Sequence, residues 1–255
     1  MTSLEHALQG AQFAAPMASV VPLSSLLVLG AGGTLGSALL GEALVAGRFA
    51  HVQAVVEQPL ASSLRGFFPL AVARLQSPGT LGADSALIVF ERERHSNGRD
   101  AAFVQPAPVG LLPLATQLRA GGVRRLVVVL PHSPALLPQA LRHGLASLDE
   151  GAVAGLGFEQ LIFVRAAQHG SSVRPRSWLQ RVANWWLAQL RFMVPQHEQP
   201  VRAVALARLV VQLLQLLPAS TPGTRVLAPE TLWQAAQNET GLEAAVRAWL
   251  TAGSR

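Results

Sequence analysis

The segment Leu26–Gly36, reading LLVLGAGGTLG, constrains this chain more than any other stretch. Ser25–Leu29 is short, apolar and unbroken, the pattern of a parallel strand covered on both faces. Gly30, Gly33 and Gly36 follow at three-residue steps. Thr34–Ala46 then places leucines and alanines near helical spacing until Gly47 stops the run. In a strand–turn–helix of this kind Gly30 permits the tight turn, Gly33 lets backbone amides approach an anion, and Gly36 lets the helix pack closely on the strand. The helix N-terminus points free N–H groups and its positive dipole end at that anion. The spacing therefore suits a dinucleotide diphosphate, with Gly30, Gly32, Gly33, Thr34, Leu35 and Gly36 as the expected binding residues. It also suits a glycine-rich turn in a related domain that has lost its ligand.

Further apolar runs at His51–Val56, Leu70–Leu75, Ser85–Phe90, Arg125–Leu130 and Gln160–Val164 read as strands, with a last one near Arg225–Ala228. Val109–Ala120 and Ala135–Leu156 carry helical leucine spacing between the later strands, and Pro229–Gln237 reads as a closing helix. This alternation predicts an α/β fold: a doubly wound, mainly parallel Rossmann-type sheet with helices on both faces and a small C-terminal lobe. Residues 1–22 read as an N-terminal extension, 23–240 as the nucleotide-binding domain and 241–255 as a C-terminal helix or tail.

With 255 residues, 50% hydrophobic and 13% charged, the chain can bury one large core and still leave apolar surface for self-association or a partner. The net charge of +6 comes from arginines spread along the sequence, with Arg124–Arg125 as the one adjacent pair, so no nucleic-acid footprint is expected. There is no cysteine, which fits a reducing cytoplasm. No arginine or lysine precedes Arg48, so no secretory or twin-arginine signal is read. Val201–Leu217, the most apolar long run, is interrupted by Arg202 and Arg208 and is not read as a transmembrane segment.

Ligands of a doubly wound sheet lie beyond the carboxyl ends of its strands. That rule selects Glu57, Glu91–His95, His132–Ser133 and Arg165–His169. Glu57 sits where an acid bonds adenine-ribose hydroxyls, which favours NAD over NADP because a carboxylate repels a 2′-phosphate; it also reads as an ordinary surface acid at a strand end. His132 and His95 are the acid/base candidates, with Ser133 beside the first. No G-x-S-x-G elbow accompanies them, and the seven histidines do not pair at metal-ligand spacing. Ser177–Met193 places Leu179, Val182, Trp186, Leu190 and Met193 on one helical face and Trp178, Trp185 and Phe192 on a second. So wide an apolar arc suits a core helix of a substrate lobe, a partner-docking helix or a peripheral membrane contact.

The chain resembles the atypical and extended short-chain dehydrogenase/reductase superfamily, with its nucleotide-sugar epimerase-like members. The likeness lies in GAGGTLG at Gly30–Gly36, GVRRLVVVL at Gly122–Leu130, Glu150 followed by FEQLIFVR at Phe158–Arg165, and PVRAVALARLVVQLL at Pro200–Leu214. It implies a Rossmann fold, NAD or NADP, and often a homodimer packed through two long helices, here Val109–Ala120 and Ala135–Leu156. The chain departs from that family in having no tyrosine and no lysine anywhere. The Tyr-x-x-x-Lys pair would fall at about Arg142 and Ala146, and neither can move a proton near neutrality. A second departure is the bulky, charged Phe90-Glu91-Arg92-Glu93-Arg94 after the fourth strand, where the family places small residues. It is expected either to obstruct or cover the nicotinamide half of the site, or to be a solvated loop.

These readings imply an NAD(P)-binding protein with lost or altered catalysis, acting as a sensor, an assembly factor or a complex subunit. An active oxidoreductase or epimerase using His132, His95 or water is the alternative. A purely structural subunit with an empty nucleotide site is the third.

Overall fold

The computed structural model describes residues 24–58, 60, 64–77, 79–91, 100–132, 147–167, 202–237 and 241–252. Seven strands form one sheet: β1 (Ser24–Leu29), β2 (Phe49–Val56), β3 (Phe67–Ala71), β4 (Ser85–Val89), β5 (Arg125–His132), β6 (Gln160–Ala167) and β7 (Gly223–Leu227). The described α-helices are α1 (Gly33–Val45), α2 (Ala73–Gln76), α3 (Leu111–Ala120), α4 (Leu148–Ala154), α5 (Ala203–Leu216), α6 (Pro229–Gln237) and α7 (Leu242–Ala252). The strand order is β3-β2-β1-β4-β5-β6-β7 and every pairing is parallel. The order reverses direction between β1 and β4, the switch point that defines a Rossmann sheet. The α/β doubly wound architecture is as expected.

Period-two alternation divides the core into two layers. Leu26 and Val28 of β1 join Leu87, Val127 and Ile162 beneath residues of α1, α5 and α7. Leu27 and Leu29 face the other way and join Ile88, Val128 and Phe163 beneath α3 and Val153 of α4. Both faces of the central strands are therefore covered, and unbroken apolar runs are what such strands require. Val246 and Leu250 of α7 are buried in the first layer, so residues 242–252 pack on the body of the α/β fold itself. Among the described residues no helix is long and apolar enough to cross a membrane.

Three elements differ from the sequence reading. The third strand is Phe67–Ala71, and most of the expected stretch Leu70–Leu75 turns into α2. Pro69 lies within that strand at the sheet's margin. Val72 donates its N–H inward to the Val56 carbonyl, and alternation then points the nitrogen of residue 69 outward, where the donor that proline lacks is not needed. The expected helix Ala135–Leu156 does not run unbroken: α4 begins at Leu148, because Ser147 is extended and caps it. Similarly Val109–Ala120 is the α-helix Leu111–Ala120 preceded by a 3-10 turn at Pro108–Gly110. Residues 1–22, Arg142, Ala146 and the Trp-rich Ser177–Met193 lie outside the described residues.

The start of α4 joins a helix cap to a buried ion pair. The Ser147 hydroxyl accepts the Glu150 backbone N–H at 3.1 Å, and the Glu150 side chain accepts from Arg165 of β6 at 3.0 Å. Both charged groups are almost wholly buried. Ser147→Ala is expected to cost about 1 kcal/mol, the usual worth of such a cap. The shift of the urea unfolding midpoint would measure it, and an unchanged midpoint would show the cap to be idle.

Candidate functional site: the glycine turn and the carboxyl edge

The glycine turn has the backbone that its sequence requires. Gly30 and Gly33 have φ of +81° and +78°, a region that side chains with a Cβ rarely enter. A Cβ on Gly36 would collide with the Gly30 carbonyl oxygen and lie 2.9 Å from the Ala31 carbonyl carbon. The close approach of α1 to the end of β1 thus depends on glycine at that position. Gly32 is the N-cap and offers no side-chain hydrogen bond, and the first turn of α1 contains no acidic residue. Helix N-termini leave N–H groups without intrahelical partners, so this one needs an acceptor from elsewhere.

Glu91 supplies it. Its Oε2 accepts the Leu35 N–H at 3.0 Å and lies 3.5 Å from the Gly36 nitrogen. A Cβ built on Gly33 would meet the same oxygen at 2.5 Å. The carboxylate comes from the residue two positions beyond β4, 56 residues along the chain from Leu35. It sits at the positive end of the helix dipole, against the glycine turn.

The neighbouring crevice is also lined by the chain. Beyond Gly30, β1 leaves the sheet, and the end of β2 loses its partner on that side. Ala102–Val104 takes the vacated place. Glu57 donates its N–H to the Ala102 carbonyl at 2.9 Å, Phe103 forms an antiparallel bridge with Val56, and Val104 donates to Val55 at 3.1 Å. Two residues on, Pro106 Cδ would lie 3.2 Å from a Cβ on Gly30.

The sequence-selected residues separate on this framework. Gly30, Gly32, Gly33, Thr34, Leu35 and Gly36 form one continuous turn, as expected. Glu57 is exposed at the end of β2, with its backbone engaged by Ala102. Phe90 does not enter the crevice; it is buried in the second core layer. Of the charged run that follows it, Glu91 lies against the glycine turn, and Arg92, Glu93 and Arg94 lie outside the described residues. His132 lies within β5, its backbone paired with Ala167, rather than in the loop beyond it. Ser133 and His95 lie outside the described residues. Arg165 is no site residue: its guanidinium is 2% exposed and bound to Glu150. Among the described residues no group of three His, Cys, Asp or Glu side chains is placed to hold a metal.

No protein-family model matches the chain, and no curated protein matches it. Solved structures similar to it include a Bacillus halodurans protein provisionally assigned as an NAD-dependent epimerase/dehydratase (15% identity, TM-score 0.45, covering 83% of this chain and 99% of that one). A short-chain dehydrogenase/reductase superfamily protein from Agrobacterium tumefaciens with bound NAD has 15% identity and TM-score 0.42, covering 80% and 77%. UDP-N-acetylglucosamine 4-epimerase from Bacillus cereus has 14% identity and TM-score 0.40, covering 80% and 78%. The likeness is one of fold. This chain is a Rossmann protein on its own strand order and glycine turn.

Proposed function

We propose that this chain is an NAD(P)-binding protein of the short-chain dehydrogenase type that works by binding and not by turnover, as a sensor, an assembly factor or a subunit of a complex. The observation that carries the binding half is the glycine turn: φ values, helix approach and amide direction all suit an anion, and a carboxylate already sits there as a stand-in. The non-catalytic half rests on the chain's lack of both tyrosine and lysine. A bound nicotinamide would supply a hydride, but the family's proton-transfer pair is missing. The backbone around Gly32–Gly36 would hold the diphosphate, and Glu57, at the β2 end, favours NAD over NADP.

A second reading, a structural subunit whose nucleotide crevice stays closed, is favoured by the backbone pairing of Ala102–Val104 with the end of β2. Titration with NADH and NADPH, followed by fluorescence, separates the two. Saturable binding of either, without oxidation of the cofactor on incubation with carbonyl or nucleotide-sugar substrates, is the expected result. Absence of saturation would favour the structural subunit; steady turnover would overturn the non-catalytic half.

A further inference from the structure

We infer that Glu91 is a resident anion that holds the diphosphate seat of this protein closed until a phosphorylated ligand displaces it. The inference rests on the dinucleotide reading above and concerns how that site is regulated. Three observations converge on it. The Glu91 carboxylate is bonded to the Leu35 amide and lies beside the Gly36 nitrogen, donors that the glycine turn presents to a phosphate. The same Oε2 atom fills the space next to Gly33, where the lack of a side chain lets a ligand approach. Finally, α1 has neither a capping side chain at Gly32 nor an acid in its own first turn, so Glu91 is its anionic partner by default.

A phosphate oxygen and this carboxylate cannot use those donors together. They would compete for the same N–H groups, and two negative charges at contact distance repel. Ligand binding therefore requires the Glu91 side chain to swing out, which lowers the apparent affinity by the fraction of time that the seat is free. Glu91 is only half-buried, so its carboxylate has solvent to move into. A small displacement at the helix N-terminus would thereby be coupled to the chain that follows β4, giving a binding event a readout without any chemistry.

The test compares the full chain with Glu91→Ala and Glu91→Gln, after thermal unfolding has confirmed that each variant is folded. The glutamine variant keeps the size and an acceptor oxygen but removes the charge, so it serves if the alanine variant unfolds. NADH, NADPH and inorganic pyrophosphate are the probes. Both variants are expected to bind a dinucleotide at least tenfold more tightly than the wild type, and pyrophosphate should raise their Tm more than it raises that of the wild type. If pyrophosphate protects the variants selectively while no dinucleotide binds any form, the resident anion stands and the dinucleotide reading falls. Equal dinucleotide affinity in all three forms overturns the resident anion and leaves the dinucleotide reading in place. No response to either probe in any form overturns both.

Discussion

Arg165→Ala is expected to destabilise the fold by about 3–5 kcal/mol, because it leaves the Glu150 carboxylate buried without its guanidinium. The pair is 3.0 Å apart, and the two side chains are 2% and 7% exposed, so water cannot take over the lost contact. The unfolding temperature should fall by about 2–4 °C for each kcal/mol in a chain of this size. The interaction links α4 to β6 across the second core layer, and Glu150→Ala should do comparable damage. Replacing both partners together, by Glu150→Leu with Arg165→Met, should cost less than the sum of the two single changes, since neither member is left buried opposite the lost charge of the other. A double variant as unstable as the two single variants combined would mean that the charges do more than neutralise one another.

Gly30→Ala should rank beside it. A methyl group there must adopt φ near +81°, costs about 1–2 kcal/mol for the left-handed backbone, and runs into the Val89 carbonyl oxygen. Relieving that collision would push β1 away from β4 at the centre of the sheet, adding about 1–3 kcal/mol. The control lies on the same helix-turn unit. Gly41 in α1 has nothing within 4 Å of an added Cβ, so Gly41→Ala should stabilise by about 0.5–1 kcal/mol. Urea denaturation of the two variants would read opposite shifts. A neutral Gly30→Ala would remove the steric basis for the turn.

Much of this architecture was legible in the residues because its strands are covered on both faces, and that condition writes itself as unbroken apolar runs. β1, the glycine turn and α1 follow one another within a single local pattern, which is why their limits agree to within a residue or so. The strand Phe67–Ala71 was harder: it lies at a margin, contains Pro69, and has a mixed burial pattern, so the apolar signal slid onto the residues that follow. For α4 the misleading feature was leucine spacing that continues upstream of the residue where Ser147 starts the helix. The charged run after the fourth strand stood out in the sequence. Its target did not, because nothing local ties Glu91 to an amide 56 residues earlier. Glu150 and Arg165 were likewise visible as separate landmarks, but their pairing depends on how α4 and β6 pack.

The outward-facing nitrogen of Pro69 bears on how copies of this protein can associate. An incoming strand seeking to prolong the sheet beyond β3 would find one rung of the hydrogen-bonding ladder missing at the middle of a five-residue edge. Fibril-like stacking or side-by-side polymerisation is thereby discouraged on that flank. Among the described strands, β7 forms the opposite margin of the sheet and contains no proline, so that flank carries no such interruption.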